Sequence, residues 1–189
     1  MTWILTLTGK RFELLAPTAA MIDPMDIAHS LAHQCRFNGH SKGFYSVAQH
    51  CCIVADLVPT EHQLVALLHD ATEAYVGDLV RPLKQLLPAF VDIEHRIWLA
   101  ICERFNLEPE LPACVHDADL IALATERRDL IALATERRDL MPSHPGTWEC
   151  LAGTQPSTTR IKPWGTTEAT VNYFHRLMQL LSTTHRAAA

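Results

Sequence analysis

The sequence predicts a mainly α-helical domain opened by a small β-hairpin, and three observations lead there. Hydrophobic residues make up 48% and charged residues 20% of the 189 residues, a length and balance suited to one domain with its own core. Strand–turn–strand patterning occurs near the start of the chain, over residues 3–15. From residue 23 onward, capping residues and prolines punctuate stretches that read as helix.

Each element follows from its residues. Trp3-Ile4-Leu5-Thr6-Leu7 and Arg11-Phe12-Glu13-Leu14-Leu15 flank a Thr-Gly-Lys turn. Asp23 can cap a helix and Pro24 fits its first position, so a helix is expected to about Cys35. A Gly-containing loop from Asn38 to Gly43 follows. Ser46 can cap a second helix through Val58. Thr60 and Gln63 read as a capping box for a third, ending near Gly77. Turns around Pro82 and Pro88 lead to a helix over about 89–105, and another begins near Ala113. After a proline-rich irregular stretch, a last amphipathic helix is expected to bury Val171, Phe174, Met178 and Leu181.

One feature breaks the pattern. Ile-Ala-Leu-Ala-Thr-Glu-Arg-Arg-Asp-Leu stands at 121–130 and again, identically, at 131–140. In a continuous helix ten residues add ~15 Å and ~1000° of rotation, which leaves a phase error of roughly 80°. One copy is therefore expected to be an insertion, either extending the helix past the core or partly looped out.

Composition narrows the function. The net charge of -5 offers no global basic surface for a nucleic-acid polymer. No apolar run approaches the ~20 residues that span a bilayer, and the N-terminal residues lack the pattern of a secretion signal. The six cysteines include no CxxC pair, so reduced thiols and a cytoplasmic location are expected. The eleven histidines are the compositional oddity, and histidine is the commonest metal ligand.

The chemistry concentrates in His69-Asp70-Ala71-Thr72-Glu73. A His-Asp pair offers one neutral nitrogen and one anionic oxygen, and helical spacing puts Glu73 on the same side. His50 lies in the middle of the preceding helix and Asp119 early in a later one. Two imidazoles and two carboxylates suit a borderline divalent ion such as Mn, Fe, Co, Ni or Zn. Such an ion lowers the pKa of a bound water and polarises a phosphoryl oxygen.

The ordered set His50, His69-Asp70, Asp119 resembles the metal signature of the HD-domain phosphohydrolases, over roughly residues 25–140. The segment HDATEAYVGDLVRPLK, His69 to Lys84, is similar to the single-domain bacterial 5′-deoxynucleotidases. The chain also resembles small phage-type HD hydrolases, some of which are deoxyadenosine triphosphohydrolases. The resemblance implies an HD-domain helical bundle and one divalent transition-metal ion held by His50, His69, Asp70 and Asp119. It makes Glu73 the catalytic Glu and Asp78 the Asp that assists catalysis or holds the sugar. Arg36 and Phe37 match an Arg-aromatic pair that contacts phosphate and covers the site. Lys84 matches the Lys of a Pro-x-Lys element, and His116 stands where family members often carry Lys.

The expected activity is phosphate release from deoxynucleoside monophosphates. The alternative is release of triphosphate from a deoxynucleoside triphosphate, and a third reading is a non-catalytic binding module with a structural metal. Expected partners are a small nucleotide substrate and further copies of the chain, with no polymer and no membrane. His29, His33 and His40 are assigned structural or pocket roles, and His95 a structural one. Asp119 is preferred to Asp117 as ligand. Glu126-Arg127-Arg128-Asp129 reads as an exposed ion-pair face.

Overall fold

The computed structural model describes residues 2–131 and 148–187. It is mainly helical. Strand β1 (Trp3–Leu5) pairs antiparallel with β2 (Arg11–Glu13), with Ile4 opposite Phe12. The strands are shorter than expected because Thr6 N–H already bonds Lys10 O at 2.9 Å and the chain turns. The hairpin is tied down twice. Phe12 is fully buried and stacks on Tyr75, with centroids 3.9 Å apart. The backbone N–H and hydroxyl of Thr8 both donate to the buried Asp26, each at 2.8 Å.

Helix α1 (Pro24–His33) starts as the sequence dictates, with the Asp23 carboxylate accepting from Met25 N–H at 2.9 Å. Helix α2 (Val47–Asp56) starts with Ser46 accepting from Gln49 N–H at 3.2 Å. The third helix departs from expectation. Pro59 leads into a 3₁₀ turn at Thr60–His62, so Thr60 lies inside that turn and no capping box forms. Helix α3 (Gln63–Leu68) then stops early. A tight turn follows, with Ala71 N–H bonding Leu68 O and Glu73 N–H bonding Asp70 O. The chain resumes as α4 (Glu73–Val76), which ends at Gly77 with φ +87°, a conformation that glycine adopts without strain. The HDATE segment is thus a bend between two helices.

Short helix α5 (Arg81–Lys84), then α6 (Pro88–Phe105) and α7 (Ala113–Glu126) follow. Helix α7 passes into a π-helical turn at Arg127–Ile131, which ends the first repeat copy and takes in the first residue of the second. The expectation that one copy is an insertion falls on 132–140, outside the described residues. Helix α8 (Thr166–Ala187) is the last.

Helix α8 packs on α1, α2 and α3, and α2 also packs on α3 and α7. The core between them includes Ile27, Leu31, Val47, Cys51, Leu67 and Leu68. Here α8 corrects the sequence reading. Its buried stripe is Ala169, Tyr173, Leu177 and Leu180, whereas Val171 and Met178 are exposed and Phe174 and Leu181 lie half-buried beside it. Tyr173 can lie in the core because its hydroxyl donates to Leu67 O at 2.9 Å. Among the described residues, no helix is long and apolar enough to cross a membrane.

Candidate metal centre

Helix α2 carries His50 into the middle of the molecule, where it is fully buried. The bend after α3 brings His69 and Asp70 against it, and α7 adds Asp119. His50 Nε2 lies 3.2 Å from Asp119 Oδ1 and 3.5 Å from Asp70 Oδ2. His69 Nε2 lies 3.2 Å from Asp70 Oδ2. Ligand atoms of His50, His69 and Asp119 all fall within 4.8 Å of one another, so the cluster could hold a metal ion.

The chemistry of these atoms fits an ion. Both Nε2 atoms are buried, and neither has a hydrogen-bond partner among the described residues. Both Nδ1 atoms are engaged from behind: His50 by Glu126 Oε1 at 2.7 Å, His69 by Ala66 O at 2.8 Å. A buried polar nitrogen without a partner is costly, and a cation between the two rings would remove that cost. Cys51 Sγ lies within the same distance of His69 and Asp70, but burial and the neighbouring Asp70 and Glu73 push its thiol well up, away from the anionic ligand form.

A cavity of about 920 Å³ opens beside the cluster. Asp70 and Asp119 lie in its wall, and so do Arg36, Phe37, Glu73, Asp78, Lys84 and His116. All eight come from the short elements 36–39 and 70–84 or from α7; the apolar part of the wall includes Trp148, Leu123 and Val91. His29, His33, His40, His95 and Asp117 are absent from that wall. His29 and His33 pack on each other on α1, with ring centroids 4.0 Å apart.

The carboxyl groups fall into two classes. Burial opposes charge on Asp70, Asp119 and Glu126, yet their cationic neighbours hold all three low: His69, His50 and Arg36 for Asp70, His50 and His69 for Asp119, Arg36 and His50 for Glu126. Burial raises Glu73 well above the usual range, helped by Asp70 and Asp78. Burial also raises Asp78, which Arg36 opposes and Asp70 assists. For His50, burial and Arg36 disfavour the charged form, but Glu126 and Asp119 prevail and lift it to about 9.

No family model matches the chain. It is 48% identical over 128 residues to YfdR of Escherichia coli strain K12, a match covering 68% of this chain and 72% of that protein. The chain belongs to the YfdR family. A second relative, from Rhodobacter capsulatus, is 38% identical over 126 residues, covering 61% of the chain and 64% of that protein. Both are described as uncharacterized.

Three residues of this YfdR-family chain hold the site or the structure around it in ways that the sequence reading did not assign. Glu126 was read as part of an exposed charged face; it is fully buried, and Arg36, Tyr45 and His50 all direct donors at it. Asp129, in the same run, has a side chain only 5% exposed, held by Arg128, Arg160 and Ile161 N–H. Gln34 clamps the bend: its amide donates to Glu73 O at 2.8 Å and its oxygen accepts from Asp78 N–H at 3.0 Å. Only Glu126 carried a signal, its seven-residue spacing from Asp119. Seven residues are nearly two helical turns, so both carboxylates lie on one stripe of α7.

Two expected phosphate contacts are already engaged. Arg36 directs its terminal nitrogens at Asp70, at 3.6 Å, and at Glu126, at 3.2 Å. Its Nε has no partner among the described residues. Lys84 pairs with Glu94 at 2.6 Å. Arg81, one turn earlier, is an exposed cation in the cavity wall.

Proposed function

We propose that this protein is a divalent-metal-dependent phosphohydrolase acting on deoxynucleotides, releasing phosphate from deoxynucleoside monophosphates. The observation that carries the reading is the join of a His₂Asp₂ cluster to a cavity that also holds Glu73 and Asp78. An ion bound there would supply Lewis acidity toward water and phosphoryl oxygen. The protein's own groups divide the remaining work. Glu73 Oε2 is buried without a hydrogen-bond partner among the described residues, and burial with the nearby Asp70 and Asp78 raises its pKa well above the ordinary carboxyl value, which favours the protonated form. It can therefore exchange protons with the attacking water or the departing oxygen. Arg36 Nε is a spare donor for phosphate. Phe37 and Trp148, with ring centroids 6.3 Å apart, form an aromatic wall for the remainder of the substrate.

A second reading, release of triphosphate from a deoxynucleoside triphosphate, is favoured by the size of the cavity and by Arg81 beside Lys84 in its wall. Those cations would meet a longer phosphate chain. The test is a product-resolved assay on protein stripped of metal and reloaded separately with Mn, Co, Zn, Fe or Ni. Orthophosphate from monophosphates is the expected result. Intact triphosphate from a deoxynucleoside triphosphate moves the assignment to the second reading. No product from folded, metal-loaded protein leaves a binding module.

A further inference from the structure

His50 lies between two carboxylates of one helix. Its Nε2 faces Asp119 at 3.2 Å, and its Nδ1 faces Glu126 at 2.7 Å. Glu126 is fully buried and serves three donors from three other parts of the chain. Tyr45 donates its hydroxyl to Oε1 at 2.8 Å, His50 meets the same oxygen, and Arg36 reaches Oε2 at 3.2 Å. A buried carboxylate is tolerated when it is paired in this way. Arg36 in turn reaches Asp70 at 3.6 Å, so Glu126 touches one member of the cluster directly and a second through Arg36.

We infer that Glu126 is a positioning residue, fixing His50 with its proton on Nδ1 so that the Nε2 lone pair is presented to the metal. The physical reason is a choice between tautomers. A carboxylate can only accept; with an ion shared by Nε2 and Asp119, the proton is left on Nδ1, which faces Glu126 at the shorter distance of 2.7 Å. The other nitrogen is then the ligand. Without the carboxylate the ring could turn or exchange its proton, and its basicity would fall. Glu126 also pairs with Arg36, which reaches Asp70 in turn. The inference rests on the metal reading of the cluster and is independent of which phosphate bond is cut.

Glu136 has the same five preceding residues as Glu126, being its counterpart in the second repeat copy. It supplies an internal control. Co²⁺ affinity would be measured by competition with a chelator in the wild type, E126Q and E136Q, with circular dichroism to follow folding. E126Q is expected to bind ~10–100-fold more weakly, the usual effect of losing a partner behind a ligand. E136Q is expected to match the wild type. Equal affinity in E126Q, or a loss confined to E136Q, overturns the inference.

Should E126Q fail to fold, the wild type still decides. Its His50 side-chain ¹⁵N spectrum, in Zn²⁺-loaded protein, is expected to show a protonated Nδ1 and a metal-shifted Nε2. The reverse pattern overturns the inference while leaving the metal reading intact. A wild type that takes up neither ion overturns both, and the affinity measurement reports this before any variant is made.

Discussion

At the scale of single residues, the site sorts its acids by environment. Asp70 and Asp119 face the histidines and stay ionised, whereas Glu73 lies in a buried position beside two further carboxyls and keeps a proton more tightly. In the proposed reaction this division gives metal holding to the first pair and proton handling to Glu73. Glu73→Ala is expected to leave Co²⁺ content unchanged while lowering turnover ~10²–10⁴-fold, the range of a lost general acid or base. Metal analysis beside the product assay checks both halves, and activity near wild type would remove the proton role. The sequence made the cluster residues legible, because His50, His69, Asp70 and Asp119 carry their chemistry in their type and order. Glu126 was hidden by its company. A Glu-Arg-Arg-Asp run resembles a solvated face, and burial was decided by donors from distant residues, Arg36, Tyr45 and His50.

At the scale of elements, capped starts were readable and interruptions were not. Asp23 and Ser46 satisfy backbone donors within three residues, so their effect is local. The chain after the bend is held by a distant partner, because Gln34 at the end of α1 bonds both Glu73 O and Asp78 N–H. Ser30 adds a bond from its hydroxyl to Ala74 O at 2.8 Å. Gln34→Ala is expected to cost about 1 kcal/mol in chemical denaturation, since it leaves the part-buried Asp78 N–H without its acceptor and takes one of two donors from Glu73 O, which keeps Gly77 N–H. Misplacement of Glu73 and Asp78 should lower turnover by up to ~100-fold, with Co²⁺ affinity retained. Helix α8 teaches a related point: an alanine, a tyrosine and two leucines outcompeted a more apolar-looking stripe because the Tyr173 hydroxyl found a carbonyl.

The repeat belongs to the same scale. Seventeen residues separate Leu130 from Trp148, and removal of 131–140 leaves seven. The Arg127 guanidinium lies 5.5 Å over the Trp148 ring, so the two ends are neighbours and seven residues can join them. Shortening the connection lowers its closure cost by about 0.8 kcal/mol. The deletion variant is expected to unfold cooperatively with stability equal to or slightly above the parent, and to bind Co²⁺ as the parent does. A destabilisation of several kcal/mol would show that the second copy carries packing of its own.

At the scale of the whole molecule, Asp129 joins the end of α7 to the segment that leads into α8. It meets Arg128 at 2.7 Å and Ile161 N–H at 2.9 Å, and it also pairs with Arg160. The Arg128 hydrogen bonds lead the effects that hold its carboxyl well below the ordinary value of 3.8, against the opposing effect of burial. A carboxyl lowered in the folded state adds stability that is fully present above its unfolded pKa. That stability is lost as pH falls from about 4 toward the folded value. Asp129→Asn is therefore expected to lower stability by about 2 kcal/mol at pH 7, with the gap from wild type closing as pH falls below about 4. Thermal melts of the pair across pH 2–7 measure this, and a pH-independent gap would mean that packing outweighs charge.

The two decapeptides are identical, and Thr125, Glu126 and Asp129 of the first hold the site and the crossing to α8. Genetically this arrangement is self-insuring. Excision of 121–130 and excision of 131–140 leave one and the same polypeptide, with Glu at position 126 in either case. A slippage event that removes one unit, whichever it strikes, therefore returns a chain that still carries the carboxylate behind His50.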